Sequence, residues 1–199
     1  MSRKLTSKFY VNDLKDDIYQ DKTKTLLLVV DEQPKLMTTM ENGERTTTNT
    51  LALIKAFKEY EMNYLATEQY PKGLGRSDER ILAEISEEKI FAKSLFDAAI
   101  PEVVAFIKEN GIKKVLVTGA EGHICIYQTV RSLLDMGLEV FLVEDAVASF
   151  TEDLKATALR SLENMGAVIV NTEMVLFDLA RDAKDSHFKF ISNLVKSLR

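Results

Sequence analysis

Six short apolar runs with little alternation set the strongest limit on what this chain can fold into. They are TLLLVVD (25–31), NYLATE (63–68), KIFAK (89–93), KVLVTG (114–119), EVFLVED (139–145) and AVIVNT (167–172). A strand with one wet face alternates with a period of two, whereas a continuous apolar run suits a strand covered on both faces. Helical patterns lie between the runs. Residues 48–61 put Leu51, Ile54 and Phe57 on one face, and 98–111 has Pro101 near its start and Gly111 at its end. Residues 125–137 carry Ile126, Val130, Leu133 and Leu134 at helical spacing, and 151–166 opens on Thr151 as an N-cap and closes on Gly166. The stretch 174–198 reads as mostly helical. Strand and helix in alternation mean an α/β fold with a parallel sheet and helices on both faces.

The chain has 199 residues, 46% of them apolar and 29% charged, which is enough for one full core. Residues 21–199 are read as a single domain and residues 1–20 as an irregular N-terminal arm. The formal charge of −5 disfavours non-specific binding to nucleic acid or to an anionic membrane, since both need a basic face. A nuclease or RNA-binding reading also lacks an aromatic and basic stripe. One cysteine excludes an internal disulfide and a multi-cysteine zinc site. No run reaches signal-peptide or membrane-span character, so the expectation is a cytoplasmic protein with no membrane partner.

In an open parallel sheet the ligand crevice lies beyond the carboxyl ends of the strands. That rule singles out Asp31, Glu68, Lys93, the stretch Gly119 to Cys125, and Asp145. Cys125 stands where a helix begins. A helix N-terminus lowers a thiol pKa, which makes a reactive thiolate one reading; a small buried hydrophobe is the other. A carboxylate beside a thiol can take its proton, and an ammonium nearby orients the pair. Asp145 reads as a turn or cap residue, and His123 as a turn histidine.

VVDEQ, then KSLF, then VTGAEGHICIYQTV followed by GLEVFLVEDAVAS, resembles the isochorismatase-like cysteine hydrolase superfamily. The segment TEQYPKGLG (67–75) is similar to its isochorismatase-domain-containing subgroup. The resemblance covers about residues 24 to 190. It implies a three-layer α/β/α sandwich on a six-stranded parallel sheet, and a triad of Asp31, Lys93 and Cys125. It implies a cis peptide between Ala120 and Glu121, and an oxyanion hole made by the N–H groups of Glu121 and Cys125. It further implies hydrolysis of a small-molecule amide or related C–N bond through a Cys125 thioester, in a homo-oligomer. Gln33, Tyr70 and Phe96 are candidate substrate-binding residues. Related nicotinamidases bind a metal through an Asp and two His near the second strand. Here that stretch, ATEQYPKGLGRSDE, has no His, so neither metal nor cofactor is expected. The alternative is a binding or scaffold protein of the same fold with little turnover.

Overall fold

The computed structural model describes residues 24–199, and the expected N-terminal arm, residues 1–20, lies outside them. Among the described residues six strands form one parallel sheet: β1 (Thr25–Val30), β2 (Asn63–Gln69), β3 (Ile90–Lys93), β4 (Lys114–Ala120), β5 (Glu139–Ala148) and β6 (Val168–Val170). Their order is β3-β2-β1-β4-β5-β6. The chain moves outward from β1 to β3 and then returns to lay β4 against the other side of β1. The strand order therefore reverses between β1 and β4, and the crevice of such a sheet opens there.

Alternate strand residues serve opposite faces. Leu27, Val29, Leu116, Phe141 and Val143 pack under α2 (Gly43–Glu59), α8 (Thr172–Ala180) and α9 (Phe188–Ser197). Leu26, Leu28, Val30, Val115, Val117 and Leu142 pack under α5 (Pro101–Glu109), α6 (Cys125–Asp135) and α7 (Glu152–Met165). The result is helix, sheet and helix in three layers. Short helices α1 (Pro34–Met37), α3 (Pro71–Leu74) and α4 (Glu79–Leu82) shape the loops after β1 and β2.

The ends of α7 follow the sequence signals. The Thr151 hydroxyl accepts from the Leu154 N–H, and Gly166 takes a left-handed φ of 112°. Two other helices differ from the sequence reading. α2 begins at Gly43 rather than near residue 48, because GERTTT offers no apolar period to read, although Thr46 and Thr47 are buried. The C-terminal stretch divides into α8 and α9, with Arg181 at φ 54° ending the first. Ile191 and Val195 of α9 are buried in the chain's own core.

Candidate active site

The register brings distant residues to one edge of the sheet. Val30 lies opposite Thr67 and Gly119, and Gln69 lies opposite Lys93. Just past β1, the Asp31 N–H still bonds the Thr67 carbonyl at 3.0 Å, while its φ of 55° swings the chain out of the sheet. Aspartate tolerates this left-handed conformation better than the β-branched residues that precede it. Its side chain, fully buried, is left facing Lys93 and Cys125.

Asp31 uses both carboxylate oxygens. Oδ1 accepts from the Thr67 hydroxyl at 2.8 Å, and Oδ2 accepts from Lys93 Nζ at 2.5 Å. Lys93 Nζ also donates to Gln69 Oε1 at 2.7 Å and faces the carbonyls of Leu95 and Phe96 at 3.1 and 3.2 Å. The ammonium is as buried as its partner, with side-chain exposures of 1% and 0%. A buried charge is tolerated only when paired and fully hydrogen-bonded, and here both conditions hold.

The turn after β4 delivers the third group. Gly119 has φ 113°, and a Cβ there would lie 1.9 Å from the Val30 carbonyl oxygen, so no other residue fits this close approach. The peptide bond between Ala120 and Glu121 is cis. The Glu121 carbonyl accepts from Ile124 and Ile126, closing the turn, and Cys125 opens α6. Buried at the start of α6, the Cys125 thiol feels the charges of Asp31 and Lys93 and the N–H of Glu121. The Cys125 N–H belongs to the first turn of α6, whose amides have no acceptor within the helix.

The titration of these groups departs from one sequence expectation. A thiol at a helix start was expected to be held low. Instead, burial and the neighbouring Asp31 charge push Cys125 up to about 12, against the pull of Lys93 and the Glu121 N–H. The thiol is only 4% exposed, and desolvation of a thiolate outweighs the helix end. Burial also raises the Asp31 carboxyl, while Lys93, Thr67 and the thiol hold it down. Burial thus disfavours the charged form of both groups and leaves Asp31 more basic than a free carboxylate.

The three candidate substrate-binding residues border the same site. The Gln33 amide is consumed by the main chain: it accepts from Gln69 N at 2.7 Å and donates to the Gln69 and Gly75 carbonyls at 2.9 and 2.6 Å. It staples the loop after β1 to the loop after β2. Tyr70 and Phe96 are exposed at the rim, at 57% and 52%. His123 Nδ1 lies 3.2 Å from the Ser149 hydroxyl, and its Nε2 lies 3.8 Å from a Glu121 carboxylate oxygen. Asp145 accepts from the N–H and hydroxyl of Thr172, the capping role read from the sequence.

Sequence reasoning missed Thr67 and Gln69, which position Asp31 and Lys93. Their signal was three polar residues in a row, Thr67, Glu68 and Gln69, closing an otherwise apolar strand. Glu68 accepts from Arg76 and from the Ser77 N–H and hydroxyl, bracing the same loop.

Glu32 was missed as well. It is 1% exposed, and neither carboxylate oxygen completes a hydrogen bond, although the Thr50 and Thr47 hydroxyls are near enough to ease its charge. Burial raises its pKa from 4.5 to about 7. Between those values the folded state keeps a proton that the unfolded state has lost, so stability falls as pH rises through that window. Glu32→Gln removes this dependence. The variant is expected to gain on the order of 3 kcal/mol over the parent on going from about pH 5 to about pH 8. Urea denaturation at the two pH values measures it, and parallel losses in both proteins would contradict it.

Residues 25–174 match the model of the Isochorismatase domain. The chain is 34% identical over 180 residues to Isochorismatase family protein 1A of Dictyostelium discoideum, covering 88% of this chain and 87% of that protein. It is 34% identical over 172 residues to Isochorismatase domain-containing protein 2 of Danio rerio, covering 86% of each. Among solved structures, the MAR1 ribonuclease of Caenorhabditis elegans superposes with a TM-score of 0.83 at 30% identity, covering 88% of this chain and 91% of that one. With the doubly wound six-stranded sheet and a family match that spans all six strands, the chain belongs to the isochorismatase family of hydrolases.

Proposed function

We propose that the protein is a metal-independent cysteine hydrolase that cleaves an amide or related C–N bond in a small molecule. One observation carries this reading: the charge of the buried Asp31 acts directly on the Cys125 thiol, and Asp31 Oδ2 accepts from Lys93 Nζ at 2.5 Å. Asp31 takes the thiol proton as sulfur attacks the carbonyl carbon. The oxyanion that forms is met by the N–H groups of Glu121 and Cys125. The C–N bond breaks, the amine leaves with the proton from Asp31, and a thioester remains on Cys125. Asp31 then takes a proton from water, the resulting hydroxide attacks the thioester, and the acid departs as the thiol is restored. Lys93 keeps Asp31 aimed at the sulfur.

Burial suits this role. It makes Asp31 a stronger base than an exposed carboxylate, which is the direction that general-base catalysis favours. Among the described residues no group of three His, Cys, Asp or Glu side chains could hold a metal ion. The MAR1 structure is called a ribonuclease. In this chain the net negative charge and a cysteine only 4% exposed favour a small neutral substrate over a polyanion. Tyr70, Leu95, Phe96 and Phe150 are apolar and more than half exposed, which supports assembly with further copies of the chain. We place the protein in the cytoplasm, a reducing compartment that suits a chain with one cysteine.

A binding or scaffold protein is the alternative, favoured by the high pKa of the resting thiol. Hydrolysis assays on a panel of small amides, with a short RNA as a separate arm, distinguish the readings. Turnover of an amide is expected, and Cys125→Ala is expected to lower it by roughly 10³-fold or more. The same variant should keep its fold at a cost of about 1 kcal/mol. Cleavage of RNA alone, or no turnover at all, would overturn the proposal.

A further inference from the structure

A second pocket of about 350 Å³ lies between the start of α2, the middle of β5 and the first turn of α7. Asp31, Lys93 and Cys125 take no part in it. Its polar lining is Asn42, Arg45, Glu144, Asp145, Glu152 and Lys155. Lys155 is 8% exposed, yet among the described residues its ammonium makes no hydrogen bond or ion pair, and the exposed Arg45 guanidinium makes none either. The Lys155 stem is buried while its ammonium opens onto the pocket, where burial and Arg45 pull its pKa down and Glu152, Glu144 and Asp145 push back.

The carboxylates are mostly engaged already. Asp145 accepts from the Thr172 N–H and hydroxyl, each at 2.8 Å, and Glu152 accepts from the Asn42 amide. Glu144 is exposed. Two cations without partners thus face one free carboxylate, within a lining whose three acids outnumber its two bases.

We propose that this pocket binds a small zwitterion of the amino-acid type, with its carboxylate between Lys155 and Arg45 and its ammonium on the Glu144 side. An anionic group supplies the contacts that Lys155 and Arg45 lack. A simple dianion would meet the surplus of negative charge, whereas a ligand that brings its own positive end offsets it. The positive end of α7, a helix of 14 residues, adds to the pull on the carboxylate. The volume is that of a small-ligand site.

Titration calorimetry and thermal shift on the whole protein test this with L-alanine, L-glutamine, acetate and inorganic phosphate as probes. The amino acids are expected to bind and to raise the melting midpoint, while acetate and phosphate leave it unchanged. Lys155→Met and Arg45→Gln are each expected to weaken amino-acid binding by about tenfold or more. Arg45 is exposed, so its variant remains informative even if the Lys155 variant folds poorly. The proposal is overturned by amino acids that give neither heat nor shift, the pocket then holding water alone. It is equally overturned by phosphate or acetate stabilising as strongly as an amino acid, or by binding that survives both substitutions.

Discussion

Asp31→Asn is expected to abolish turnover while making Cys125 easier to alkylate. The two effects come from one change. Asn cannot accept the thiol proton, so loss of a general base alone costs roughly 10²–10⁴-fold, and here the same residue serves both half-reactions. The substitution also removes the negative charge that, after burial, does most to hold the thiol up near 12, while leaving Lys93, which favours the thiolate. The thiol pKa must therefore fall. Iodoacetamide labelling followed from neutral to alkaline pH should rise earlier in the variant than in the parent, whose thiol stays protonated across most of that range. A cysteine that served only as core filler would not move in this direction. Labelling that slows in Asp31→Asn would mean that the carboxylate does not govern the sulfur.

Lys93→Met is expected to be the most destabilising of the site substitutions. The ammonium satisfies Asp31, Gln69 and two main-chain carbonyls at once. Removing one partner of a buried pair costs about 3–5 kcal/mol, because the other charge is left without compensation. The sign of the pH dependence follows from the same contacts. Burial already raises Asp31 above its ordinary 3.8, and Lys93 is the largest influence holding it down. Without Lys93 the folded pKa rises further. Stability is then full below the unfolded value of 3.8 and is lost as pH climbs toward the folded value. The deficit relative to the parent should thus be small in acid and large at neutral pH, as read from denaturant midpoints. An equal deficit at both would show that Lys93 contributes packing rather than charge.

The positions of Asp31, Lys93 and Cys125 were legible because open parallel sheets put their ligands at strand carboxyl ends, and those ends can be read from where the apolar runs stop. What each residue touches was not legible, since contacts across strands depend on register. Thr67 meets Asp31 only because Val30 lies opposite Thr67, and Gln69 meets Lys93 only because those two are paired. Gln33 illustrates the same limit. A glutamine after a strand end can face a ligand or a neighbouring loop, and here the main chain around Gln69 and Gly75 takes all its bonds. The thiol shows the limit of local rules: the helix start is real, but burial beside a carboxylate decides its titration. The first turns of α2 were silent for another reason. Periodicity reports apolar faces, and this helix buries threonines there.

The most direct test of the account is the mass of the enzyme during turnover. A substrate from the amide panel, mixed rapidly with the protein and quenched in acid, should add the mass of its acyl group to the chain. Peptide mapping should place that mass on Cys125, hydroxylamine should release it as expected of a thioester, and Cys125→Ala should prevent it. Steady hydrolysis with no adduct in the parent, or an adduct that persists in Cys125→Ala, would contradict a mechanism centred on this sulfur.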